Sequence, residues 1–208
     1  MAAHMLRFSC AALICIAACG KSKTIAQGPA PVATVPLVPN AVVPDTTDAT
    51  VATIFRVSHI IAATLELQTL ALAQEPDESG AYAISGECDG GGSISGAVEA
   101  SGRLNLKFNV CADSTLTLRS TGTELYFGSV MSTKAGVAKD KGFFLALDGS
   151  GAFALSGDTV GALAYTALDV GVVQNDDGTV TMSLSGDATW GGTATTYTAQ
   201  SFNFPGAP

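Results

Sequence analysis

Apolar and polar side chains alternate along most of the chain after residue 81. In residues 103–110 (RLNLKFNV), every second side chain from Leu104 onward is apolar, and the side chains between are polar. This alternation predicts strands with one buried face and one solvated face. About ten such segments are separated by Gly, Asp, Asn and Ser, namely residues 81–87, 92–100, 102–110, 114–120, 123–130, 142–149, 151–157, 163–173, 179–190 and 193–204.

Short connections between these segments predict antiparallel pairing. The stretch Asn175-Asp176-Asp177-Gly178 has the composition of a hairpin turn. Glycine also adjoins Asp89, Asp148, Asp158 and Asp187, and we expect turns at these four aspartates. The sheet is therefore predicted to be an antiparallel meander.

The segment before the strands has a helical period instead. Its apolar side chains recur at helical spacing, at Val51, Ile54, Phe55, Ile61, Leu65 and Leu72. Thr47 or Asp48 is suited to cap the N-terminus, and Pro76 with Gly80 ends the pattern. The apolar face is wide, which favours packing on a sheet. The predicted fold class is mainly β (α+β), with one N-terminal helix packed on a curved antiparallel meander sheet of about ten strands.

The first residues have the pattern of an export signal. Arg7 supplies positive charge, and residues 8–18 are apolar or small. This run fits the apolar region of a signal peptide and is shorter than the roughly 20 residues that a membrane-spanning helix needs. We therefore predict that residues 1–18 are a signal peptide.

The apolar run ends in a cysteine motif, Ile16-Ala17-Ala18-Cys19. Bulkier residues precede Cys10 and Cys15, whereas two alanines precede Cys19. The motif resembles the lipobox of bacterial lipoproteins. The resemblance implies cleavage before Cys19, a diacylglyceryl group on its thiol and further acyl chains that make the tethering firm. Gly20 follows, instead of the aspartate that favours inner-membrane retention, which implies a lipid-anchored protein of the cell envelope, in the outer rather than the inner membrane.

Proline is frequent after the anchor, at positions 29, 31, 36, 39 and 44. It lacks an amide donor and fixes its own backbone, so it disfavours helix and central strand. We predict that residues 19–47 comprise the lipidated cysteine and an extended, semi-rigid linker. The folded domain is then residues 48–208.

Two cysteines remain after the leader, Cys88 and Cys111. An exported compartment permits disulfides, and a hairpin turning near residues 100–102 would bring the two together. The alternatives are a metal site and a catalytic thiol. A metal site needs more ligands, and His59 is the one histidine outside the predicted leader. We therefore expect a structural disulfide.

Candidate chemistry is sparse. No G-x-S-x-G, H-E-x-x-H or phosphate-binding loop motif occurs. His59 is expected to be structural, and Trp190 is expected to pack on the core or cover a glycine-rich strand rather than bind sugar. The turn aspartates are weak candidates for calcium or for glycoside hydrolysis. The formal net charge is −8 with no basic cluster, which argues against nucleic acid as a partner.

These observations favour a non-enzymatic role. The leading hypothesis is a membrane-anchored lipoprotein of the cell envelope with a structural or interaction function and neither cofactor nor metal. Its expected partner is the membrane, through acyl chains on Cys19, with an envelope protein or apolar ligand still to be identified. The alternative is a periplasmic carrier of lipid or another apolar ligand in a cavity between helix and sheet. That alternative rests on an architectural likeness to half-barrel lipoprotein carriers alone.

Overall fold

The structure is a computed structural model that describes residues 38–63, 65–113, 116–120, 122–134 and 137–207. The predicted signal peptide, Cys19 and the first part of the predicted linker lie outside these residues, so cleavage, lipidation and an extended linker there stay predictions. Within the described residues, the helices are too short to cross a membrane.

The strands of the described residues form one antiparallel sheet. They are β1 (Tyr82–Glu87), β2 (Ser93–Val98), β3 (Leu104–Asn109), β4 (Cys111–Ala112), β5 (Leu116–Arg119), β6 (Thr123–Lys134), β7 (Val137–Gly157), β8 (Gly161–Gln174), β9 (Val180–Trp190) and β10 (Thr193–Phe204). The order across the sheet is β1-β2-β3-β6-β7-β8-β9-β10. The short strand β4 pairs with β5, and β5 pairs with the end of β7. Sequence neighbours are thus mostly sheet neighbours, which confirms the predicted meander.

Strand β7 differs from the prediction because it joins two predicted segments, 142–149 and 151–157. The register of β7 against β8 shifts between Leu147 and Ser150, and Gly149 has a φ of +62°. A glycine in this conformation fits a β-bulge as well as a turn. The strand therefore bends at this point without reversing. The two residues of β4 were not predicted, because a segment so short shows no period.

Two aspartates expected in turns lie in strands, so that part of the prediction is wrong. Asp148 belongs to β7 and Asp187 to β9. Each carboxylate has a polar neighbour on another strand or connection. Nη2 of Arg103 lies 3.0 Å from Oδ2 of Asp148, and the hydroxyl of Thr196 donates to Oδ1 of Asp187 at 2.6 Å. Contacts with distant parts of the chain, rather than turn formation, are therefore what these two carboxylates make.

The predicted helical region consists of α1 (Ala49–Ala63) and α2 (Leu65–Leu72). Oδ1 of Asp48 accepts hydrogen bonds from the amides of Thr50 and Val51 at 2.8 and 3.3 Å. These bonds confirm Asp48 as the N-cap. The first helix contacts β5, β8 and β9, and the second contacts β1 and β2. The helical region therefore packs on the sheet, as predicted.

The interface between α1 and the sheet is filled by apolar side chains. Ile54 and Ile61 of α1 are 2% and 1% exposed and face Leu145 and Val170 of the sheet. A cavity of only about 10 Å³ remains among these residues. Such a volume is too small for an organic ligand. The centre of the described helix–sheet interface is therefore not a carrier cavity.

The segment before α1 is attached to the C-terminal residues. Ala41 forms an isolated antiparallel bridge with Gly206, and the amide of Ala207 donates to the carbonyl oxygen of Asn40 at 3.1 Å. These residues belong to the stretch predicted as linker. The end of that stretch is thus held on the domain by main-chain hydrogen bonds.

Candidate functional site

Cys88 and Cys111 form a disulfide bond, as predicted, with their Cα atoms 5.4 Å apart. The β2–β3 hairpin, which pairs Ser93 with Asn109, brings the flanking residues together. Cys111 is 1% exposed, whereas Cys88 is half-buried. The disulfide therefore links a buried cysteine of the core to a cysteine that is partly exposed at the surface.

A pocket of about 330 Å³ lies beside this disulfide. The helices contribute one wall, and the ends of β1 and β4 contribute the other. The described residues that line it are Val38, His59, Ile60, Ala63, Leu67, Glu87, Cys88, Asp89, Cys111, Ala112 and Asp113. Small-molecule sites commonly have volumes of roughly 300–1,000 Å³. By size, the pocket can hold a small organic molecule.

The described lining of the pocket is acidic, with three carboxylates and neither lysine nor arginine. Glu87 and Asp89 are exposed, and neither pairs with another described residue. Asp113 accepts a hydrogen bond from the amide of Leu116 at 2.7 Å and so stabilises its own loop. A ligand in the pocket therefore meets acidic side chains and no basic one among the described lining residues.

His59 lines the pocket, yet main-chain carbonyls contact both of its ring nitrogens. Nδ1 lies 2.9 Å from the oxygen of Phe55, and Nε2 lies 2.5 Å from the oxygen of Pro39. The ring also packs against Phe55 and Phe143, with centroid distances of 4.1 and 5.7 Å. A general base needs a free nitrogen aimed at a substrate or nucleophile. The arrangement instead fits the structural role predicted for His59.

Apart from Asp89, the other predicted candidates are not among the residues that line this pocket. Trp190 is partly buried against the core, and a Cβ atom placed on Gly161 would lie 2.8 Å from its Cη2 atom. The indole thus covers a glycine of β8, in line with its predicted packing role. Among the described residues, no three side chains of His, Cys, Asp or Glu come close enough to bind a metal ion together.

The pocket itself was not predicted, although one signal for it was present. Asp89 directly follows Cys88, and Asp113 follows Cys111 by two residues. Pairing the two cysteines therefore also places these two carboxylates near each other. The contribution of α1 and α2 depends on how far the helices extend past the strand ends, which the pattern does not encode.

Comparison with known proteins gave no match to a protein family, a curated protein or a solved structure. What indicates the function is therefore the chain's own residues, their geometry and the N-terminal motif.

Proposed function

We propose that the chain is a membrane-anchored bacterial lipoprotein of the cell envelope with a non-enzymatic structural or interaction role. The observation that carries the proposal is the motif Ile16-Ala17-Ala18-Cys19 at the end of an apolar leader. Acyl chains on Cys19 bind the membrane, and more than one chain is needed for stable anchoring. Gly20 after the cysteine favours the outer membrane.

The attachment of the linker end to the domain supports this proposal. The oxygen of Pro39 contacts His59 of α1, and Asn40 and Ala41 hydrogen-bond to the C-terminal residues. A pull transmitted along residues 19–37 therefore meets both a helix and the chain end that follows β10. Such an attachment suits a tethered domain, because the pulling force is shared between two parts of the fold and does not act on one loop alone.

The composition and the site also favour a binding or structural role over catalysis. Both nitrogens of His59 are engaged by carbonyls, so the residue is poorly placed to activate a nucleophile. The net charge of −8 disfavours nucleic acid as a partner. We propose the membrane as the principal partner, and neither a cofactor nor a metal enters the proposal.

A second candidate function is the carriage of a small apolar ligand, and one observation favours it. The pocket beside the disulfide has a volume of about 330 Å³ and is lined partly by Ile60, Ala63 and Leu67. It lies at the margin of the helix–sheet interface, since the centre is filled. This candidate is therefore narrower than the sequence-based hypothesis of a lipid cavity.

Metabolic labelling with radioactive palmitate tests the principal proposal. We expect label in the wild type and in the control variants Cys10→Ser and Cys15→Ser, and none in Cys19→Ser. Label that persists in Cys19→Ser would contradict the anchor. Separation of the membranes on a density gradient tests the location. There, Gly20→Asp should move the protein from the outer to the inner membrane, and a wild type found in the inner membrane contradicts the proposed location.

A further inference from the structure

We propose that the pocket beside the Cys88–Cys111 disulfide binds a small organic cation with an apolar body, such as a primary alkylamine. The inference rests on the second candidate function, ligand carriage, and names the chemical class of the ligand. Three features carry it: the volume of the pocket, its apolar wall and the sign of its charge.

The apolar wall suits a short hydrocarbon chain. Val38, Ile60 and Leu67 face the pocket together with Ala112 and the disulfide. A volume of about 330 Å³ equals roughly eleven water molecules at about 30 Å³ each. A chain of about six carbons with a small head group fits this space, and burial of its apolar surface favours binding.

The carboxylates determine the sign of the head group. Glu87 and Asp89 flank Cys88 in sequence, and both line the pocket. Neither carboxylate pairs with a described residue, so no described cation neutralises either of them. A ligand cation in the pocket is attracted to these carboxylates, whereas an anion is repelled by them.

An organic cation fits these features better than a metal ion. The described His, Cys, Asp and Glu side chains form no group of three that could hold a metal. A metal ion also leaves the apolar wall beside Ile60 and Leu67 without a partner. An alkylamine contacts both parts of the pocket, its ammonium group at the carboxylates and its chain along the wall.

Three probes with the same six-carbon chain test the inference: hexylammonium, hexanol and hexanoate. Calorimetry on the full chain carrying Cys19→Ser gives the dissociation constants, and the amide NMR shifts of Ile60, Leu67 and Ala112 locate the binding. We expect hexylammonium to bind at least tenfold more tightly than hexanoate, with shifts at these amides. Equal affinities, or shifts confined to other residues, would overturn the proposal.

A pair of double variants separates pocket charge from net charge. In Glu87→Gln/Asp89→Asn, the preference for hexylammonium should fall below threefold. Glu78→Gln/Asp158→Asn removes the same charge from exposed positions outside the pocket lining and should retain the full preference. A preference that survives the first variant overturns the inference.

The probes also separate this inference from the functions on which it rests. If hexanol binds at the pocket as tightly as hexylammonium, selection by charge fails while ligand carriage stands. If no probe binds, both ligand carriage and this inference fail. The palmitate experiment is independent of either result, because it reports only on Cys19.

Discussion

The Nε2 atom of His59 lies 2.5 Å from the carbonyl oxygen of Pro39. This contact connects α1 to the end of the predicted linker. Nδ1 of the same ring lies 2.9 Å from the oxygen of Phe55. Carbonyl oxygens only accept hydrogen bonds, and an imidazole has a donor on both nitrogens only when it is protonated. The protonated ring therefore bonds to both carbonyls, and the neutral ring bonds to one.

We expect His59→Phe to lower the free energy of unfolding by about 1–2 kcal/mol, because it removes the hydrogen bonding between the imidazole and these main-chain carbonyls and keeps an aromatic ring in place. The amide of Val42, which donates to the oxygen of Pro205 at 2.9 Å, should also exchange its hydrogen faster. Urea denaturation and hydrogen exchange measure the two effects. Arg56→Gln is the control, because Arg56 reaches Thr159 rather than the linker. Unchanged exchange at Val42 in His59→Phe would show that the histidine does not hold the linker.

The disulfide should contribute substantially to stability. Cys88 and Cys111 are 23 residues apart in sequence, and closing a loop of this length contributes about 3 kcal/mol in the chain-entropy model. We expect Cys88→Ser/Cys111→Ser to unfold at lower urea concentration, with a loss of about that size. In exported protein with Cys10, Cys15 and Cys19 replaced by Ser, alkylation should detect no thiol before reduction. Two reactive thiols there would refute the pairing in the exported protein.

Gly186 should tolerate no side chain. Its φ is +105°, and a Cβ atom at this position would lie 2.1 Å from the carbonyl oxygen of Ala167. We expect Gly186→Ala to lower the free energy of unfolding by about 3 kcal/mol, from backbone strain together with a clash that displaces a neighbouring strand. Gly191→Ala is the matched control, since its φ is +57° and a Cβ atom there meets nothing within 4 Å. The control should lose only about 1 kcal/mol, and equal losses would show that the clash is relieved elsewhere.

Alternation of side chains predicted most of the sheet because each strand has one face on the core. Leu104, Leu106 and Phe108 are all buried, at 2%, 3% and 0% exposure. The same pattern could not distinguish a bulge from a turn at Gly149, since both use glycine in the same conformation. The pocket could not be predicted, for another reason. Its existence depends on the distance between the helices and the ends of β1 and β4, and the pattern of side chains along one segment does not determine the distance between segments.

Asp77 should make the stability of the protein vary with pH in the acidic range. Its Oδ1 atom accepts hydrogen bonds from the hydroxyl of Ser79 at 2.6 Å and from the amides of Ser79 and Ala81 at 2.8 and 3.0 Å. These bonds, the Ser79 hydroxyl first, lower the pKa of Asp77 below its ordinary value of 3.8. A folded-state pKa below the unfolded one stabilises the protein above the unfolded pKa, and this contribution is lost as the pH falls through the folded pKa.

The melting temperature of Asp77→Ala should therefore be lower than that of the wild type near neutral pH. The difference should shrink in the acidic range, as the pH falls through the lowered pKa of Asp77 and the wild-type carboxylate is protonated. Thermal unfolding followed by circular dichroism across this range provides the measurement. Glu78→Gln removes a neighbouring exposed charge without removing these bonds, so its difference from the wild type should not follow the same course. A pH-independent difference in Asp77→Ala would contradict the assignment.

The hydrogen bond between Ala207 and Asn40 makes the two ends of the described domain spatial neighbours. A circular permutant can therefore join residue 207 to residue 40 by a short peptide and open the chain at a connection between two strands. Such a permutant keeps every strand of the sheet and moves the point of tethering to a different side of the domain. The side of the domain that faces away from the tether can then be changed without changing the fold.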